Sequence, residues 1–132
     1  MNRNESIVAV RPTVQKESTE FSKEELFQND VLRPILKFQH ELLLEEWEGN
    51  PLFLSIKKAD TIEERRKLMA LLFSKQPPFL QRLVGMTVGL LTKEEFQFYL
   101  KEKALLDKRI KELLINRLLS YDTASRPYQK LQ

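Results

Sequence analysis

The chain has a single histidine, His40, in the run His40-Glu41-Leu42-Leu43-Leu44-Glu45. A zinc-peptidase helix needs a second histidine four residues on, and that position is Leu44. A transition-metal centre would have to be assembled from carboxylates around one imidazole, so no metal is expected. His40 reads as a hydrogen-bonded residue at the edge of an apolar helix face. There is no cysteine, which excludes a disulfide framework, a thiolate metal site and a cysteine nucleophile. Serines and threonines fall at helix starts and in loops, without a G-x-S-x-G elbow or a glycine-rich phosphate loop. Lys103 and Asp107 are the least ordinary pair. On a helical wheel both lie within an apolar face, one turn apart, where burial requires that they pair. No catalytic constellation results, and neither a cofactor nor a small-molecule substrate is expected.

What remains is chemistry of surfaces. Gly85-x-x-x-Gly89 in a short apolar helix predicts a small-residue groove against which another helix packs closely. Phe98, Leu105 and Leu119 fall at intervals of seven and fourteen residues behind the main apolar face, with Ile115 beside them. These four predict an apolar seam for self-association, with a place in the protein's own wrapped core and contact with another protein as the alternatives. The basic residues Lys57, Lys58, Arg65, Arg66 and Lys67, continued by Lys75 and Arg82, offer a patch for RNA phosphates. They come without a helix-turn-helix, an aromatic platform or zinc ligands.

The elements that carry these residues are helical. Residues 1–20 read as an extended N-terminal arm: Ile7-Val8-Ala9-Val10 is β-branched, and Arg11-Pro12 holds Arg11 extended. Ser22 and Glu25 form a capping box, flanked by Phe21 and Leu26 at staple positions. The helix that follows should kink or break between Asn29 and Pro34, because Pro34 clashes with the carbonyl of Asp30. Gly49-Asn50-Pro51 stops it. Leu52-Phe53-Leu54 could form a helical turn under the core. Thr61 with Glu64 opens a helix to about Ser74, and Gln76-Pro77-Pro78 separates it from Phe79–Leu91. That segment is apolar nearly all round and so is expected at the buried centre. Thr92 with Glu95 then caps one long helix to about Tyr121, roughly 42 Å in length. A compact domain of this size is about 36 Å across, so such a helix would span it. Residues 122–132 read as an extended tail.

The fold class predicted for residues 21–121 is therefore all-α, a single bundle of four to five helices between extended arms. Hydrophobic content of 42% and charged content of 31% fit a globular chain of 132 residues with a substantial core. The longest near-apolar run, Leu83–Leu91, is nine residues and too short for a bilayer. Without a signal-peptide core at the N-terminus, a cytoplasmic location is expected. Charge is uneven. Residues 1–56 hold 6 Lys/Arg against 10 Asp/Glu, and residues 57–132 hold 16 against 9.

The stretch Phe27 to Leu43, FQNDVLRPILKFQHELL, and the segment Gly85 to Phe96, GMTVGLLTKEEF, resemble two signatures of a family of short, uncharacterised bacterial helical proteins. Members often carry an automatic "glyoxalase" label. Glyoxalase I chemistry uses a βαβββ fold and histidine and glutamate metal ligands, which a helical chain with one histidine does not offer. The resemblance implies a fold and no catalytic residues. The expectation from sequence is a non-enzymatic protein that works through protein–protein contact, as a homodimer or with another protein. The alternative is a ribosome-associated subunit that touches RNA through its basic second half and tails.

Overall fold

The computed structural model describes residues 2–12 and 22–120. Their regular elements are all helical: α1 Arg3–Val10, α2 Lys23–Phe27, a π-helical turn Gln28–Leu32, α3 Arg33–Glu48, α4 Phe53–Lys57, α5 Ile62–Lys75, α6 Pro77–Val88, α7 Lys93–Lys101 and α8 Lys103–Ser120. Counted as continuous rods, with α2, the π turn and α3 taken as one, these make seven, six of them within residues 22–120, where four to five were expected. The tail from 122 onward, residue Phe21 and the latter part of the N-terminal arm lie outside the described residues.

The caps form where the local sequence places them. Ser22 accepts from the Glu25 amide and Thr61 from the Glu64 amide. Thr92 and Glu95 complete a reciprocal capping box. The kink expected at Pro34 takes the form of the π turn, closed by a bond from the Arg33 amide to the Gln28 carbonyl five residues back. That wider turn accommodates a proline whose ring would clash with the carbonyl four residues before it. Gly49 caps α3 with φ −79°, so the stop needs no left-handed backbone.

Four helices make the body: α3 lies against α6 and α8, α5 against α6 and α8, and α6 against α8. The centre is built from α8, through Leu106, Ile110, Leu113, Leu114, Ile115 and Leu118, and from α3, through Ile35, Leu36, Leu43, Leu44 and Trp47. Each fully buried side chain of this kind contributes about 1.5–3 kcal/mol. The short α4 tucks Phe53 and Ile56 under this core, with Phe53 edge-on to Trp47. The expectation of α6 as the buried centre is corrected. Only Leu83 and Thr87 of it are buried. An apolar composition did not decide its position, because its neighbours cover one side alone.

The single 42 Å helix is also corrected. It breaks at Glu102, where φ −112° and ψ 30° leave the helical region, and α7 and α8 are separate rods. No glycine or proline marks the site. The bend keeps its backbone groups bonded: the Glu102 amide donates to the Phe98 carbonyl, and the Leu106 amide to that of Glu102. It also brings the Tyr99 hydroxyl to Asp107, eight residues on. In an unbroken helix those positions are about 12 Å apart along the axis.

The N-terminal arm is not extended along its first half. Residues 3–10 form α1, capped by Asn2, whose side chain accepts from the Glu5 amide at 2.8 Å. Arg11 is extended, as expected before Pro12. The β-branched run was read by intrinsic preference, which docking overrides here: Ile7 is buried, while Val8 and Val10 face outward.

Candidate functional site

The four residues expected to form an apolar seam do not share one exposed face. Ile115 lies in the core at 4% exposure. Phe98 packs against the core with its ring 5.0 Å from that of Phe27, and Leu119 packs against it too. Leu105 alone is exposed. The bend at Glu102 takes Phe98 off the line of Leu105 and Leu119, and α8 is covered on more than one side. The seam is therefore corrected: three of its four members serve the protein's own core.

The glycine groove is likewise not filled by any helix among the described residues. A Cβ added at Gly85 would meet no atom within 4 Å. At Gly89 it would meet only the Gly85 carbonyl, at 3.0 Å. The groove opens outward instead, at the seam between α6 and α3. Gln39 donates to the Met86 carbonyl at 2.8 Å, and Glu46 pairs with Arg82 at 2.8 Å. Between those two α3 contacts lies Leu42, one turn from each, with Phe38 a turn further back. Both are solvent-exposed, at 56% and 48%. On the helical wheel of α3 the pair falls to one side of the buried Leu36, Leu43 and Trp47, a signal that the sequence contains.

The basic residues proposed for RNA divide between structural roles and solvent. The Arg65 Nε donates to the Ala59 carbonyl at 3.0 Å, and Arg66 donates to Asn116 of α8. Lys57 lies over the Phe53 ring at 5.6 Å, and Lys58 and Lys67 are exposed. They are not brought to one cleft.

A different set of cations is. Between α3 and α8 lie two adjoining hollows of about 380 and 350 Å³. The first is lined by Arg33, Leu36, Leu113, Asn116, Arg117 and Ser120. The second shares Arg33, Leu113 and Asn116 and adds Gln28, Lys108, Arg109 and Glu112, with Leu105 also on its lining. The arginines are held in place by amides and an imidazole. Arg33 Nε donates to Asn29 at 3.0 Å, Arg109 to Gln28 at 3.0 Å, and Arg117 Nη1 is 3.3 Å from His40 Nδ1. His40 is thus a half-buried edge residue with an arginine beside it. Sequence reading missed this cleft because Arg33 and Arg117 are 84 positions apart and each reads as an ordinary solvated residue.

Two further polar clusters sit at the ends of α7. Lys103 pairs with Asp107 at 2.6 Å, and Tyr99 donates to the same carboxylate. Burial and the adjacent Asp107 charge push the Tyr99 phenol well above its ordinary value. At the other end, α1 grips the turn between α6 and α7. Arg3 donates to the carbonyls of Leu91 at 2.7 Å and Gly89 at 3.0 Å. Asn4 bonds to Glu94 and accepts from the Lys93 amide. Arg11 donates to both oxygens of Glu95 and to the Leu90 carbonyl. Burial pushes the Glu95 carboxyl up, but Arg11 and Thr92 outweigh it and hold the group below its ordinary value.

Among the described residues no group of three or more His, Cys, Asp or Glu could hold a metal ion. No helix among them is long and apolar enough to cross a membrane. No family model, no curated protein and no solved structure matches the chain.

Proposed function

We propose that the protein is a non-enzymatic helical interaction protein of the cytoplasm, which self-associates across the outer seam between α3 and α6. The observation that carries this reading is the open space over Gly85 on α6, together with the exposed Phe38 and Leu42 on α3, the helix packed against α6. A two-fold contact uses the same patch on both copies, so the patch must hold both a hollow and something to fill it. A glycine floor beside a projecting aromatic and a leucine meets that requirement. Contiguous exposed apolar side chains of this kind mark interaction sites more often than isolated ones do.

Sedimentation velocity tests it. The wild type should run as a dimer at roughly micromolar concentration. The double variant Phe38→Glu, Leu42→Glu should run as a monomer with unchanged helicity, since both residues are exposed. A wild type that stays monomeric, or a double variant that stays dimeric, removes the reading. Contact with RNA is the second reading, supported by the excess of 16 Lys/Arg over 9 Asp/Glu in residues 57–132. It requires an affinity for RNA that falls steeply with salt from about 50 mM upward.

A further inference from the structure

We infer that the cleft between α3 and α8 is a binding site for a small polyphosphate anion. Four cationic side chains line its two hollows: Arg33, Lys108, Arg109 and Arg117. Glu112 is the one carboxylate among the described residues of either lining, so these side chains carry a net charge of +3. A guanidinium has five N–H donors in a planar fork, so Arg33, held through Nε, and Arg109, held through Nη1, still present other donors to phosphate oxygens.

The amides of the cleft reinforce that polarity. A side-chain amide offers one acceptor oxygen and an NH₂ end that only donates. The Asn116 oxygen takes its bond from Arg66, and the Gln28 oxygen takes its bond from Arg109. Both residues line the cleft, and both have their acceptor turned to an arginine. Their donor ends are what they offer a ligand. Arginine forks and amide NH₂ groups together suit a ligand that is all acceptor.

Shape and spacing select the ligand size. Each hollow lies in the volume range of small-molecule sites, about 300–1,000 Å³. They share Arg33, Leu113 and Asn116 as a common wall, so one ligand can place an anionic group in each. Lys108 and Arg117 are nine positions apart on α8, about 13 Å along its axis. A lone orthophosphate reaches one end of that array, whereas a chain of phosphates reaches along it. Among the described residues no aromatic side chain lines either hollow, so nucleobases find no stacking platform there. The phosphates, and not a base, are what the cleft recognises. This applies equally to inorganic polyphosphate and to the phosphate chain of a nucleotide.

Calorimetric titration of the full chain at about 50 mM salt, where electrostatic attraction is strong, tests this. Inorganic tripolyphosphate should bind, a nucleoside triphosphate should bind within about threefold of it, and orthophosphate should bind at least about tenfold more weakly. Asn116→Asp keeps a partner for Arg66, removes the donor end and sets a carboxylate between the hollows. Its residue is exposed, so the variant should fold as the wild type does, and it should weaken tripolyphosphate at least about tenfold. Lys57→Gln with Lys58→Gln removes two charges outside the cleft and should change affinity less than about threefold. No binding of tripolyphosphate, no loss in Asn116→Asp, or an equal loss in the lysine variant would overturn the site. So would an RNA oligomer that binds and is not displaced by tripolyphosphate. A nucleoside triphosphate more than about tenfold tighter than tripolyphosphate would overturn the assignment to phosphates alone.

Discussion

The attachment of α1 and the attachment of α8 are opposite solutions to holding a helix on a protein. Helix α8 buries six apolar side chains, of which Leu106, Ile110 and Leu114 have no measurable exposure. Helix α1 buries one, Ile7, and is otherwise held by Arg3, Asn4 and Arg11 on the α6–α7 turn. Apolar burial is strong and tolerant of direction. A hydrogen bond or ion pair at the surface has sharp geometry but contributes little net, because water competes for both partners. The α1 dock therefore specifies its position closely, and only the Arg11–Glu95 pair, with side chains 9% and 22% exposed, is sheltered enough to contribute more than a little. The dock is thus expected to open before the core does.

Truncating the core side of this comparison should give the largest effect. Leu114→Ala or Ile110→Ala should destabilise the whole molecule by about 2–5 kcal/mol, read by chemical denaturation. Arg11→Ala should come next, at about 1–3 kcal/mol, because it strips a charged partner from Glu95. Its signature is local: amides of residues 3–10 should lose hydrogen-exchange protection while those of α8 keep theirs. Equal loss in both helices would show that α1 and the core unfold as one unit, and would break the comparison.

Acid should open the same dock more gently. The Glu95 carboxyl is held below its ordinary value of 4.5, so the stability it contributes is complete above that pH. It is lost as pH falls through the lowered folded value, when the protonated acid gives up its ion pair with Arg11. Amides of α1 should lose protection in acid before those of α8, and Glu95→Gln should remove most of that difference. An acid response that begins in α8 would place the sensitive carboxyl elsewhere. The smallest effect expected is a gain. In the monomeric Phe38→Glu, Leu42→Glu background, Gly85→Ala meets open space and replaces the poorest non-proline helix former, so it should stabilise by up to about 1 kcal/mol. A drop in melting temperature would mean that something covers Gly85.

Local chemistry in the sequence settled a good deal. Ser22, Thr61 and Thr92 each sit three residues before a glutamate, and all three cap a helix. Pro34 disturbs its rod in the interval expected, and Gln76-Pro77-Pro78 divides α5 from α6. The Lys103–Asp107 pair is formed, as its four-residue spacing allows, but with Lys103 59% exposed and not within a buried face. In each case the deciding atoms lie within one or two turns of one another, so their relation is set before any tertiary contact exists.

Other features were decided by partners far along the chain. Asn2-x-x-Glu5 offers a cap, yet the helical state of residues 3–10 against a β-branched run is accompanied by contacts 79–90 positions away, from Arg3, Asn4 and Arg11 to the α6–α7 turn. The bend at Glu102 has no breaker residue; it accompanies a packing in which α7 and α8 serve different parts of the core. Periodicity reports that a face is apolar, but not whether the molecule's own helices or solvent will cover it. That is why Ile115 became core, Phe38 and Leu42 stayed on the surface, and Gly85 faces open space. Cap geometry is nearest-neighbour sterics and hydrogen bonding, which one stretch of sequence contains. Coverage of a face is a sum over distant neighbours, and only the assembled tertiary structure evaluates it.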